Sequence, residues 1–215
     1  MPKESTEALK KRTLKIIQRL KIAYPEAKCA LEHKNPLELL VATILSAQCT
    51  DKRVNLVTKD LFKKYRRAED YADAVQEKFE QDIRSTGFYR NKARNIIACC
   101  KAIVENHGGK VPNTLEELVK LDGIGRKTAN VVLGNAFNTP GLVVDTHVTR
   151  ISRLLKITKE EDPVKIEFDL MPIVPKKEWT LFSHLLIHHG RACCIARRPN
   201  CPKCPVKEYC PSSMA

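Results

Sequence analysis

No apolar run in the chain approaches the roughly 20 residues that a membrane-spanning helix needs, so no segment reads as one. The first residues, Met1 to Arg12, are charged and carry no apolar stretch of the kind that directs secretion, and an intracellular protein is expected. Alternation of apolar and polar residues is nearly absent; only Gly141 to Val144 looks extended, and it is too short for a sheet. Internal repeats, low-complexity segments and long linkers are also missing. The nine cysteines are an odd number and lack a secretory context, which argues against a disulfide framework.

What is present is a strongly basic chain. Its 215 residues suffice for one large domain or two small ones. Lys and Arg number 38 against 25 Asp and Glu, leaving a net charge of +13 that points to an anionic partner, nucleic acid or an acidic membrane surface. Apolar spacing is helical almost throughout. Leu9, Ile16, Ile17 and Leu20 share a face, as do Val54, Val57 and Leu61, while Ile96, Ile97, Ile103 and Val104 run up to a His107-Gly108-Gly109 breaker. Asn35-Pro36 with Glu38, Thr114 with Glu117, Asp145 and Asp162-Pro163 read as helix starts. A last long helix covers Trp179 to Ile187. The chain therefore reads as all-α, with about ten short helices and candidate boundaries near Pro25 and at Asn138-Thr139-Pro140-Gly141.

The cysteines fall into two groups. Cys29, Cys49, Cys99, Cys100 and Cys193 have apolar neighbours and read as small core residues. Cys194, Cys201, Cys204 and Cys210 crowd into seventeen residues. Four-cysteine zinc sites usually show two C-x2-C knuckles, and here there is one. Four thiolates in one short loop also suit a [4Fe–4S] cluster, so spacing alone leaves both metals open. His184, His188 and His189 share a helix without a carboxylate to complete a metal set and read as packing or surface residues.

Leu121-Asp122-Gly123-Ile124-Gly125 joins a short helix to one beginning Arg126-Lys127-Thr128-Ala129. The two glycines allow backbone angles closed to other residues and a close approach by a ligand, and the amides ahead of the second helix suit a phosphate. An ordinary helical corner explains the same glycines. Lys127 stands at the positive end of that helix, beside Arg126; with partial burial such an amine is suited to nucleophilic attack on a sugar carbon. Asp145 reads as an N-cap, which would also fix a carboxylate in place. His147 reads as structural.

Gly-Ile-Gly-Arg-Lys-Thr-Ala-Asn-Val-Val at 123–132, followed by Val-Asp-Thr-His-Val at 144–148, resembles the active-site region of the endonuclease III DNA glycosylases, within the helix–hairpin–helix superfamily. The resemblance runs from Asn35-Pro36 to Cys210 and includes Leu45-Ser46-Ala47-Gln48-Cys49-Thr50-Asp51 and Gly87-Phe88-Tyr89-Arg90-Asn91-Lys92-Ala93. It implies a six-helix domain over 29–139 with the hairpin at about 114–137, and an iron–sulfur cluster domain from 1–28 and 140–215. By the same resemblance Lys127 is the nucleophile of a bifunctional glycosylase and AP lyase, forming a Schiff base at C1′ that ends in β-elimination, and Asp145 assists it. Gly123, Gly125 and Thr128 would hold a DNA phosphate through their amides. The carbonyls of Val119, Leu121 and Ile124 could hold a monovalent cation. Gln48 would fill the gap left by a flipped base and Phe88 would wedge the duplex, against loop hydrogen bonding and core packing as the plainer readings. Cys194, Cys201, Cys204 and Cys210 would ligate a [4Fe–4S] cluster, with Cys193 outside the set. Relatives commonly have Pro where Asp122 stands and an aliphatic residue where Phe88 stands.

The function expected from the resemblance is base excision repair: removal of oxidised pyrimidines from double-stranded DNA by a cytoplasmic, nucleoid-associated monomer that does not engage membranes. The alternatives are another lesion preference (mismatched thymine or uracil, or pyrimidine dimers), a non-catalytic iron–sulfur DNA-binding protein, and a redox protein.

Overall fold

A computed structural model describes residues 4–214; the first three residues of the charged amino terminus lie outside the described residues. Eleven α-helices and no strand occur among the described residues: α1 Thr6–Ala23, α2 Pro36–Leu45, α3 Asp51–Lys64, α4 Ala68–Ala72, α5 Gln76–Ile83, α6 Tyr89–His107, α7 Leu115–Leu118, α8 Arg126–Ala136, α9 Thr146–Leu154, α10 Pro163–Leu170 and α11 Trp179–Ala192. Gly141 to Val144 is irregular rather than a strand. None of the helices is long and apolar enough to cross a membrane.

The chain separates into two compact units, one spanning Cys29–Thr139 and the other made of the residues up to Lys28 with those from Pro140 onward. The middle unit is built round α2. Its Leu39, Leu40, Val41, Ala42, Ile44 and Leu45 are all buried, so the helix is apolar nearly all round and lies inside a sheath of its neighbours. Asn35 starts it by accepting the Glu38 N–H at 2.9 Å, while the Glu38 carboxylate accepts the Lys34 N–H at 2.6 Å. The rings of Tyr65, Tyr71 and Phe79 pack with centroids 5.0 to 5.8 Å apart where α3, α4 and α5 meet. The longest helix, α6, ends as its glycines dictate: Gly108 is left-handed at φ 57° and the Gly109 N–H returns to the Ile103 carbonyl at 3.1 Å. Cys99 and Cys100 are core residues of this unit, whereas Cys29 and Cys49 are only half-buried.

The other unit takes α1 from one end of the chain and α9 to α11 from the other. Ile16, Ile17 and Leu20 of α1 share a core with Val148, Ile151, Leu170, Phe182, Leu185 and Leu186. Arg12 fastens that arrangement, donating through Nη1 to the carbonyls of Leu155 and Tyr209, both at 2.9 Å.

Candidate nucleic-acid interface and metal centre

The hairpin between α7 and α8 is held by short-range backbone bonds. Thr114 caps α7, accepting the Glu117 N–H at 3.3 Å and donating to its carboxylate at 2.8 Å. The Leu121 N–H then donates to the Leu118 carbonyl and the Ile124 N–H to the Leu121 carbonyl, each at 3.1 Å. Leu118, Leu121, Ile124 and Ala129 are buried and lock the two helices together. The two glycines behave differently. Gly123 is left-handed at φ 74°. Gly125 is not: it is the N-cap of α8 at φ −89° and ψ 170°, extended backbone open to any residue, and nothing lies within 4 Å of a Cβ added there. The expectation of special backbone angles at both is thus corrected. Gly125 provides space, and it offers no side chain to the first amides of α8, which are the ones a helix leaves without internal partners.

Lys127 is exposed, so the partial burial that would have added to its reactivity is not found. Thr128 beside it is half-buried. Across the hairpin lies a pocket of about 240 Å³ whose lining includes Gln48, Phe88, Lys92, Asn95, Gly123 and Thr128. Four of the residues singled out in the sequence therefore meet at one place. Lys127 and Gly125 are on the same hairpin but outside that lining. Phe88 is 63% exposed, which rejects core packing for it. Gln48 at φ 52° and Phe88 at φ 49° are two of only four non-glycine residues with left-handed backbone among the described residues. Such conformations cost about 1–3 kcal/mol each and collect at functional sites.

In the other unit, Asp145 is half-buried and is the N-cap of α9; its Oδ1 accepts the Val148 N–H at 2.8 Å. The cysteine loop follows α11. Cys194, Cys201, Cys204 and Cys210, with Cys193, line one cavity of about 140 Å³, walled by Ile151, Leu154, Leu155 and Val206. Within it the ligand atoms of His189, Cys193 and Cys204 lie within 4.8 Å of one another, a grouping capable of holding a metal ion. His189 is buried, accepts or donates at Nδ1 to the Tyr24 hydroxyl at 3.0 Å, and stands 3.7 Å from the Cys204 sulfur through Nε2. Burial pushes the Cys204 thiol up to about 11. Arg150 donates from Nη1 to the Cys194 sulfur at 3.5 Å and from Nη2 to its carbonyl at 2.6 Å. His189 and Cys193 both stand outside the four-cysteine set expected from the sequence. Their spacing of four on the end of α11 was the available signal, since it turns both toward the loop that follows.

A glycine-turned hairpin with an uncapped basic helix behind it, and a thiol-lined cavity in a second helical unit, define a DNA-binding helix–hairpin–helix architecture. Residues 41–176 match the family model of the HhH-GPD superfamily base excision DNA repair proteins, and the chain belongs to that family. Endonuclease III of Synechocystis sp. is 51% identical over 96% of this chain and 94% of its own length. Endonuclease III of Bacillus subtilis is 52% identical over 87% of this chain and 86% of its own. A solved structure of a trapped endonuclease III–DNA covalent intermediate superposes with a TM-score of 0.89 at 46% identity, covering 95% of this chain and 96% of that one. The protein is a base excision repair enzyme, a DNA glycosylase with AP lyase activity.

Proposed function

We propose that the protein removes oxidised pyrimidines from duplex DNA and cuts the strand at the abasic site, with Lys127 as the nucleophile. Nζ bonds to C1′ of the damaged nucleotide, and the bond from C1′ to the base nitrogen breaks, its electron pair leaving with the base. Transfer of an Nζ proton to O4′ opens the sugar to a Schiff base that acidifies the C2′ hydrogens; loss of one to water, its electron pair forming the C2′–C3′ double bond, expels the 3′ phosphate. The observation that carries this reading is the position of Lys127: exposed, in the first turn of α8, immediately behind the open space at Gly125 and the amides suited to a phosphate. A phosphate held there by the amides of Gly123, Gly125 and Thr128 brings its sugar to the amine. Asp145, fixed by its cap, stabilises positive charge developing on the sugar. The target base leaves the stack to react, Gln48 fills the gap and Phe88 wedges the duplex; their exposure and left-handed backbones support those roles. A monovalent cation on the carbonyls of Val119, Leu121 and Ile124 belongs to this reading, the Leu121 oxygen having a second lone pair beyond the one that accepts Ile124.

The same reading assigns a [4Fe–4S] cluster to Cys194, Cys201, Cys204 and Cys210. Several soft thiols round one apolar cavity fit such a group. When bound it supplies a rigid cross-link and no electron for this reaction. The chain's own contribution is the loop it ties, which carries the exposed Arg197, Arg198, Lys203 and Lys207 for phosphate contact.

Borohydride trapping on a duplex containing thymine glycol tests the proposal. A covalent adduct is expected with the native protein and with Lys120→Ala, and none with Lys127→Ala. An adduct that persists in Lys127→Ala would remove Lys127 from the mechanism.

A further inference from the structure

Lys92 is the one lysine that the fold buries among the described residues, at 4% exposure, and its position is explained by neither an ion pair nor the reaction. It stands in the first turn of α6. Its ammonium donates two hydrogen bonds, to the carbonyl of Leu45 and to the carbonyl of Thr86, both at 2.8 Å. Leu45 is the last residue of α2, so its carbonyl lies at a helix end that lacks internal partners. Three residues later comes Gln48. Thr86 closes the short turn Arg84–Thr86, and two residues later comes Phe88. One buried side chain thus grips the roots of both loops whose tips are left-handed.

We propose that Lys92 is a positioning residue for base extrusion, a clamp that holds the Gln48 and Phe88 loops in their strained conformations. The physical argument is one of cost. A buried ammonium is expensive, and an apolar side chain of equal length would fill the same space more cheaply. Burial in fact pushes this amine below its ordinary range. What an apolar residue cannot do is bind two carbonyls at once. Left-handed Gln48 and Phe88 survive only if their surroundings over-determine them, and charge-assisted bonds at the root of each loop do so. Lys92 also lines the pocket that contains Gln48 and Phe88, so a shift at the clamp alters the pocket's shape directly. The side chain acts through its two neighbours and touches no reacting atom.

This inference rests on the roles proposed for Gln48 and Phe88, and the experiment separates the two. Single-turnover rates are measured for base excision from a fully paired lesion duplex and for strand cleavage at a preformed abasic site, which has no base to unstack. Extrusion is followed in parallel by the fluorescence of 2-aminopurine placed beside the lesion. Lys92→Met should slow excision by about tenfold or more beyond its effect on abasic cleavage, and Phe88→Ala or Gln48→Ala should add little in that background. Equal losses on both substrates, or full additivity, overturn the clamp. Should Lys92→Met not fold, Lys92→Arg decides the matter: its larger head keeps charge and donors but displaces the carbonyls, so a smaller loss confined to the paired duplex is expected. An Arg variant with uniform loss or none makes Lys92 a core residue only. If Phe88→Ala and Gln48→Ala leave extrusion unchanged, the roles of those residues fail, whatever Lys92 does. If they slow it and Lys92→Met does not, the clamp alone fails.

Discussion

A Cβ placed on Gly123 would lie 2.9 Å from both Cβ and Nδ2 of Asn95, closer than side-chain atoms approach. The same substitution would also hold a left-handed backbone at φ 74°. Asn95 of α6 therefore forms the floor on which the hairpin turns. Gly123→Ala should destabilise the protein by about 1–3 kcal/mol and weaken DNA binding with it. Gly125→Ala should leave the melting temperature unchanged, because its backbone is extended and its Cβ meets nothing, yet weaken binding by obstructing the phosphate. Thermal melts and duplex titrations on the two variants check the contrast; a Gly125→Ala protein that binds normally would place the phosphate elsewhere.

Asp145 has a cap to maintain and a charge to supply, and two substitutions divide these duties. Asn accepts the Val148 N–H as well as Asp does, so Asp145→Asn should retain stability while slowing excision strongly. Asp145→Ala should in addition cost about 1 kcal/mol of stability. Parallel small losses of rate and stability in both variants would leave Asp145 a cap and nothing more.

The cysteine cavity offers five thiols where a cluster takes four. Serine replacement of Cys194, Cys201, Cys204 or Cys210 should each lower the iron-to-protein ratio and the visible absorbance. Cys193→Ser should leave both intact. Iron retained in one of the first four and lost from the fifth would exchange Cys193 into the ligand set.

His184 on α11 is held neutral by the fold: burial, helped by the neighbouring His188, moves it from 6.5 down to about 4. The unfolded chain therefore takes up the proton first as pH falls. Stability from this group is complete above pH 6.5, declines from there to about 4, and is flat below, with a total near 3 kcal/mol. Denaturant midpoints measured over that interval should slope less in His184→Leu than in the native protein.

Local chemistry made much of this fold legible in advance. Asn35, Thr114, Asp145 and Asp162 each cap the helix their residue types announce, because the bond involved spans only two or three positions. The Gly108 stop is legible for the same reason. Gln48 and Phe88 are different: nothing in a side chain of either kind signals a left-handed backbone, which is imposed from outside the segment. Lys92 could not be distinguished among 38 Lys and Arg, since its partners are carbonyls 47 and 6 residues away. His189 was read as packing because its partners, Tyr24 and Cys204, come from distant stretches of chain. Gly125 was misread because open space for a ligand and freedom of backbone leave the same letter in a sequence.

The unit that contains the cysteine loop draws its first helix from the opening residues of the chain and everything else from beyond Pro140. On the ribosome the middle unit is complete while α1 still waits for its partners. At about 5–20 residues per second the wait lasts roughly ten to forty seconds, with Ile16, Ile17 and Leu20 uncovered throughout. Four lysines and arginines among the residues from Lys10 to Lys15 flank that stripe, and like charge on α1 opposes its association with another copy during the wait.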